Sequence, residues 1–197
     1  IGSLSADQVG GLTYLQAGNL LDTQLAAFSS SQISALTTTS IAALKTGLIA
    51  ELNSTQLAGL SATQISVLAS TQIKVLSADQ VAALSSTQLS VFSATQIASL
   101  TTTAASGLTA AQLGVLNTTQ IKSLTSSAVS ALDESQMAAL SATQIAALTA
   151  TQIRGLNSTD VNQLTMAEIS AMTSTHFAAM TATAITGLTE EQIALLT

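Results

Sequence analysis

The chain has 197 residues, of which 47% are hydrophobic, 7% are charged and 2% are aromatic. Cysteine, proline and tryptophan are absent, and one histidine, His176, is present. This composition excludes a disulfide framework and a thiolate metal site. The formal net charge of −6 excludes a basic surface of the kind that binds nucleic acid.

The mean hydropathy of +0.52 is high, which raises the question of membrane insertion. A membrane-spanning helix needs about 20 mostly apolar residues in succession. Ser, Thr, Asn or Gln interrupts this chain every few residues, and Ile1 opens no signal-peptide pattern. We therefore expect no membrane span.

A large apolar residue recurs every eight residues from Leu4 to Leu196, and this period defines the predicted elements. Twenty-four complete octads follow one another from Leu4 to Leu195, with the consensus L-[ST]-x-T-Q-[IV]-x-[small]. We number the octad positions from this apolar residue, which is Leu except at Phe28, Phe92, Met172 and Met180. We expect residues 1–197 to form a single repeat array excised from a longer one.

Position 2 carries a helix-start signal, because it is Ser, Thr, Asn or Asp in 21 of the 24 octads. Position 5 is Gln in 16 octads and Glu in one. This spacing is typical of the capping box, in which the Gln side chain reaches back to the backbone N–H of the cap residue. The predicted boxes include the pairs Ser61–Gln64, Ser85–Gln88, Ser93–Gln96 and Ser141–Gln144.

Positions 1 and 6 then flank the helix start in the arrangement known as a hydrophobic staple. Acidic residues favour the beginning of a helix and basic residues its end. Nine of the ten acids occupy positions 2 to 5 and three of the four bases occupy position 7, with only Glu51 and Lys45 departing. We predict one short helix per octad, over positions 3 to 8, with staples that include Leu60–Ile65, Leu68–Ile73 and Leu140–Ile145.

Helices this short are unstable alone in water, so the octads must stack on one another. The sequence predicts an all-α solenoid with positions 1 and 6 inside, positions 3, 4 and 7 outside, and small residues at position 8 permitting close backbone approach. The alternative is a triangular β-solenoid with three octads in each coil, because Ile, Val and Thr also suit strands.

No residue pattern indicates chemistry. His176 replaces Gln at position 5 and has no second His or Cys to assist it, so we interpret it as a side chain near a helix start. We expect no catalytic, cofactor-binding or metal-binding residue, and no cofactor. The Thr row at position 4 is the one candidate binding surface, for glycans, ice or another array.

The octads at 140–147 and 148–155, LSATQIAA and LTATQIRG, resemble the octapeptide arrays of very large bacterial surface proteins. Those proteins are labelled adhesins or haem-utilisation-or-adhesion proteins. The resemblance covers the whole chain and implies an extracellular or cell-surface location. It favours a non-enzymatic spacer or stalk, whose partners are neighbouring repeats or domains of the same polypeptide. A binding module that uses the Thr face is the alternative.

Overall fold

A computed structural model describes residues 2–196. Within this range the chain forms 24 short α-helices in a regular repeat and no strand, so the predicted all-α solenoid is confirmed and the β-solenoid alternative is wrong. The chain divides into two compact units, 1–107 and 108–197.

Each helix is four to six residues long and lies within one octad. The first unit contains α1 (Ala6–Gly10), α2 (Tyr14–Gly18), α3 (Asp22–Ala26), α4 (Ser30–Ala35), α5 (Thr38–Ala43), α6 (Thr46–Glu51), α7 (Ser54–Ala58), α8 (Ala62–Ser66), α9 (Ser70–Ile73), α10 (Ala78–Ala82), α11 (Ser86–Ser90), α12 (Ala94–Ala98) and α13 (Thr102–Ser106). The second unit contains α14 (Ala110–Val115), α15 (Thr118–Ser123), α16 (Ser126–Val129), α17 (Glu134–Ala138), α18 (Ala142–Ala147), α19 (Ala150–Ile153), α20 (Ser158–Asn162), α21 (Met166–Ala171), α22 (Ser174–Ala179), α23 (Ala182–Ile185) and α24 (Glu190–Ala194).

The corners between helices are made by the residue at position 2, which has an extended backbone. Ser61, for example, has φ −69° and ψ 158°, and Ser93 has φ −66° and ψ 161°. No described residue has a positive φ, and none follows a cis peptide bond. Ordinary L-residues can therefore form every described corner, which explains how the chain turns so often without proline.

Three helices complete one turn of the solenoid within each unit. In the first unit α1 packs on α4, α2 on α5, and the same three-helix step continues to α10 on α13. In the second unit the step recurs, for example with α15 on α18 and α18 on α21. One turn therefore consumes 24 residues, and each octad contacts the octad three places along the chain.

The core of each unit is built from positions 1 and 6. The position 1 residues from Leu20 to Met180 are all buried, as are the position 6 residues from Val9 to Ile169. Leu60 is 3% exposed and Ile65 is 0% exposed. No described residue at positions 3, 4 or 7 is buried. The predicted division of the octad into inward and outward positions therefore matches the structure.

Small residues at position 8 allow successive turns to approach closely. A Cβ added to Gly107 would overlap the backbone of Ala78, which lies 29 residues earlier at position 3 of the preceding turn. At Gly59 the added Cβ would lie 2.9 Å from the Cβ of Ser30, again 29 residues earlier. These contacts leave no space for a larger side chain unless the backbone shifts.

Candidate functional site

The predicted capping boxes are the smallest structural unit of the repeat. At the start of α8 the Ser61 N–H donates to Gln64 Oε1 over 2.7 Å, and the Gln64 N–H donates to Ser61 Oγ over 3.1 Å. The boxes that begin at Ser85, Ser93 and Ser141 make the same two bonds, at 2.7–2.8 Å and 3.1–3.3 Å. Two of the unpaired N–H groups at each helix start are thereby satisfied.

Three octads have no side-chain cap, and they are the three in which position 2 is not Ser, Thr, Asn or Asp. These residues are Leu21, Lys45 and Ala69. At Ala69 half of the box survives, because its backbone N–H still donates to Gln72 Oε1 over 2.7 Å. The octad can therefore form without the side-chain cap when its glutamine remains.

The other half of the glutamine amide joins one turn to the next, and this role is absent from the sequence prediction. The Nε2 of Gln64 donates to the carbonyl oxygen of Leu36 over 2.6 Å and to that of Ser34 over 3.0 Å. Leu36 is the C-cap of α4, so the glutamine satisfies carbonyls at the corner where α4 ends and α5 begins. One side chain thus caps the start of its own helix and the end of another.

This inter-turn bond recurs with the same separation of 28 residues in both units. In the first unit Gln80 donates to Leu52 over 2.8 Å, and in the second Gln152 donates to Leu124 over 2.7 Å. Both glutamines are at least 96% buried, at 4% and 2% exposure. We call these side chains the inter-turn glutamines, which are Gln32, Gln56, Gln64, Gln72, Gln80, Gln88, Gln96, Gln136, Gln144, Gln152 and Gln192.

The sequence contained a signal for this second role. A capping box is satisfied by either Gln or Glu, because both offer the oxygen that accepts from the cap residue. Position 5 nevertheless has Gln 16 times and Glu once. Only Gln adds a neutral donor, so this bias indicates that a buried acceptor waits on the far side of the side chain.

Position 5 departs from Gln in ways that the structure explains individually. Ser40 reaches the same kind of carbonyl directly, because its Oγ donates to the oxygen of Leu12 over 2.9 Å. His176 is buried, and its Nδ1 accepts from the Thr173 N–H over 3.3 Å, so it takes the place of Oε1 in the box. Glu168 accepts from the Thr165 N–H over 2.6 Å but has no amide donor.

Two aspartates have shifted pKa values that follow from their places in the box. Burial raises the pKa of Asp160, which is at position 5, although the backbone N–H of Asn157 partly opposes that shift. Asp133 is an N-cap, and hydrogen bonds from the Gln136 N–H and the Ser135 hydroxyl lower its pKa. Both carboxylates serve helix starts.

The outer surface is dominated by hydroxyl side chains without charge. Position 4 is Thr in 14 octads, and each of these threonines is exposed. Among the described residues there is no cluster of three or more His, Cys, Asp or Glu side chains that could hold a metal ion. No helix in residues 2–196 is long and apolar enough to cross a membrane.

Two surface cavities interrupt the regular pattern, one in each unit. The first unit has a groove of about 410 Å³, lined by Leu20, Leu21, Asp22, Thr23, Lys45, Gly47 and Leu48. It lies where two octads lack a side-chain cap. The second unit has an apolar cavity of about 590 Å³, lined by Ser174, Phe177, Ile185, Leu188, Ile193 and Leu196.

Comparison with known proteins supports the repeat. Residues 49–86 match the family model described as the ALTTAQ repeat. The six letters of that name follow the order of octad positions 8, 1, 2, 3, 4 and 5, as in Ala-Leu-Thr-Ala-Thr-Gln at 147–152. No curated protein matches the chain.

Proposed function

We propose that this array is a structural spacer in a secreted or surface-anchored bacterial protein, with no catalytic role of its own. The observation that carries the proposal is the inter-turn hydrogen bond of constant separation, 28 residues, in both units. Each added turn of three octads would repeat the same contacts, so length would increase without a change in local geometry.

The composition of the surface supports an extracellular segment. Hydroxyl side chains keep the outer face hydrated with few charges, and the absence of Cys removes any dependence on redox conditions. The match to the ALTTAQ repeat supports a repeat region, and the adhesin-type host protein is part of the proposal. In this proposal the array binds no cofactor, and its partners are the domains that flank it.

The experiment lengthens the first unit by one turn and measures the change in length. Because the chain has no native Cys, the exposed Thr55 and Thr103 can each be changed to Cys and carry a spin label. A second copy of residues 60–83 is then inserted after Ala83. Packed helix layers are about 8–10 Å apart, so the distance between the labels should increase by about that amount.

A matched control inserts the single octad 60–67 at the same place. One octad is a third of a turn, so the second label moves to another side of the unit and the increase for a full turn is not reproduced. A spacer requires one narrow, longer distance for the 24-residue insertion. An unchanged or very broad distance for that insertion, with helicity retained, would contradict the proposal.

The exposed threonines favour a second candidate function, the binding of glycans, ice or another copy of the array. Thr55, Thr63 and Thr71 are exposed in consecutive octads and offer a row of hydroxyl and methyl groups. A glycan array, a thermal-hysteresis assay and sedimentation test these ligands in turn. Binding that is lost when these threonines are changed to Lys would favour this function over a passive spacer.

A further inference from the structure

Asparagine occupies position 2 in three octads, and all three belong to the same tripeptide motif. Asn53-Ser54-Thr55, Asn117-Thr118-Thr119 and Asn157-Ser158-Thr159 each read Asn-x-Thr, with x not proline. This is the acceptor sequence for asparagine-linked glycosylation. The two other asparagines, Asn19 and Asn162, are not followed by Ser or Thr two residues later.

The structure gives the two ends of each asparagine amide different roles. Asn53 Oδ1 accepts from the Gln56 N–H over 2.9 Å, and Asn117 Oδ1 accepts from the Gln120 N–H over 2.9 Å. At Asn157, Oδ1 accepts from the backbone N–H groups of residues 159 and 160, at 2.7 and 3.1 Å. The oxygen therefore holds the helix start in all three octads.

The nitrogen of each amide is free for chemistry. Within residues 2–196, Nδ2 of Asn53, Asn117 and Asn157 donates no hydrogen bond, and all three residues are exposed. A substituent on Nδ2 leaves Oδ1 in place as an acceptor. A sugar can thus be attached at these corners without loss of the N-cap, whereas a sugar on a capping serine would modify the capping oxygen itself.

We propose that Asn53, Asn117 and Asn157 are attachment sites for asparagine-linked sugars. The donor is a sugar activated at C1 as a pyrophosphate ester, carried either on a nucleotide or on a lipid. Nδ2 forms a bond to C1 while the C1–O bond to the pyrophosphate breaks. The pyrophosphate leaves with the bonding electron pair, and Nδ2 loses one proton to a base of the transferase. No oxidation or reduction is involved.

The test uses the full chain in two arms that distinguish the two donors. In one arm the chain is secreted from cultured eukaryotic cells, which transfer lipid-linked oligosaccharide. In the other arm the folded chain, purified from a bacterial cytosol, is incubated with a soluble asparagine glycosyltransferase and UDP-glucose. Intact mass and peptide mapping give the number and position of the sugars in each arm.

The proposal expects sugar at the three motif asparagines in at least one arm and none at Asn19 or Asn162. The arm that succeeds identifies the carrier. A matched variant changes Thr55, Thr119 and Thr159 to Ala, which keeps every capping asparagine but destroys every acceptor motif. This variant should lose all sugar and retain its far-UV circular dichroism spectrum.

Two further readouts complete the test. The glycosylated chain should melt at the same temperature as the unmodified chain, because the capping oxygen is retained. A chain that is folded yet gains no sugar in either arm, while a control acceptor peptide is modified, would overturn the proposal. Sugar at Asn19 or Asn162, or a melting temperature that falls on glycosylation, would overturn it as well.

Discussion

Replacement of Gln80 tests whether the inter-turn glutamines stabilise the stack. Its Nε2 donates to the carbonyl oxygens of Leu52 and Ile49 over 2.8 and 3.0 Å, and its Oε1 accepts from the Ser77 N–H over 2.8 Å. Gln80→Met keeps a similar side-chain length but removes both functions. Gln80→Glu keeps the acceptor for Ser77 and replaces the donor with a carboxylate oxygen.

The magnitude follows from which groups lose their partners. Ile49 O also accepts from the Leu52 N–H, so Leu52 O is the carbonyl that depends most on Gln80. Each buried polar group left unsatisfied costs about 1–3 kcal/mol. Loss of partners for Leu52 O and the Ser77 N–H gives a destabilisation of about 2–4 kcal/mol for Gln80→Met. Gln80→Glu should cost about 3–5 kcal/mol at neutral pH, because its charge faces carbonyl oxygens.

The assay is urea unfolding followed by far-UV circular dichroism, with Gln8→Met as the matched control. Gln8 makes the local bond with the Ser5 N–H over 2.8 Å, but it is exposed, and within residues 2–196 its Nε2 has no inter-turn bond. The control should cost about 0.5–1 kcal/mol. Equal losses for Gln8→Met and Gln80→Met would refute the inter-turn role.

Acid pH supplies a second check on the same argument. A protonated carboxyl group can donate to a carbonyl, so the stability gap between Gln80→Glu and the parent chain should narrow as the pH falls below about 4. If the gap is the same at both pH values, charge against the carbonyls is not the cause.

Four further substitutions test other parts of the repeat. Glu168→Gln supplies the missing donor and should raise the urea midpoint by an amount equivalent to about 1–2 kcal/mol. Gly107→Ala should destabilise by about 1–3 kcal/mol through overlap with the preceding turn, whereas Gly47→Ala, with nothing within 4 Å of the added Cβ, should stabilise α6 by about 0.5–1 kcal/mol in the same assay. Ala69→Ser restores an N-cap and should add about 1 kcal/mol, and an unchanged midpoint would contradict the role of position 2. Burial raises the pKa of Asp160 above its ordinary value of 3.8, so its folded form holds the proton more tightly than its unfolded form. The stability from that proton is present below about pH 4 and is lost as the pH rises, so Asp160→Asn should raise Tm by about 1–2 °C at pH 7 and leave it unchanged at pH 3.

The sequence by itself determined where each helix begins and which residues face inward. A helix start depends on groups three or four residues apart, such as Ser61, Gln64 and Ile65, and these can be read from the octad without knowledge of the rest of the chain. For the same reason the three octads that lack a side-chain cap, at Leu21, Lys45 and Ala69, were identifiable from the residue at position 2.

Only the tertiary structure decided how the helices end and which octads meet. The bond from Gln64 to Leu36 joins residues 28 positions apart, and the octad pattern is the same for two, three or six octads in a turn. The choice of three brings the amide nitrogen of one octad to the open carbonyls of another. Local spacing cannot specify this match, because it depends on the path of the chain through a complete turn.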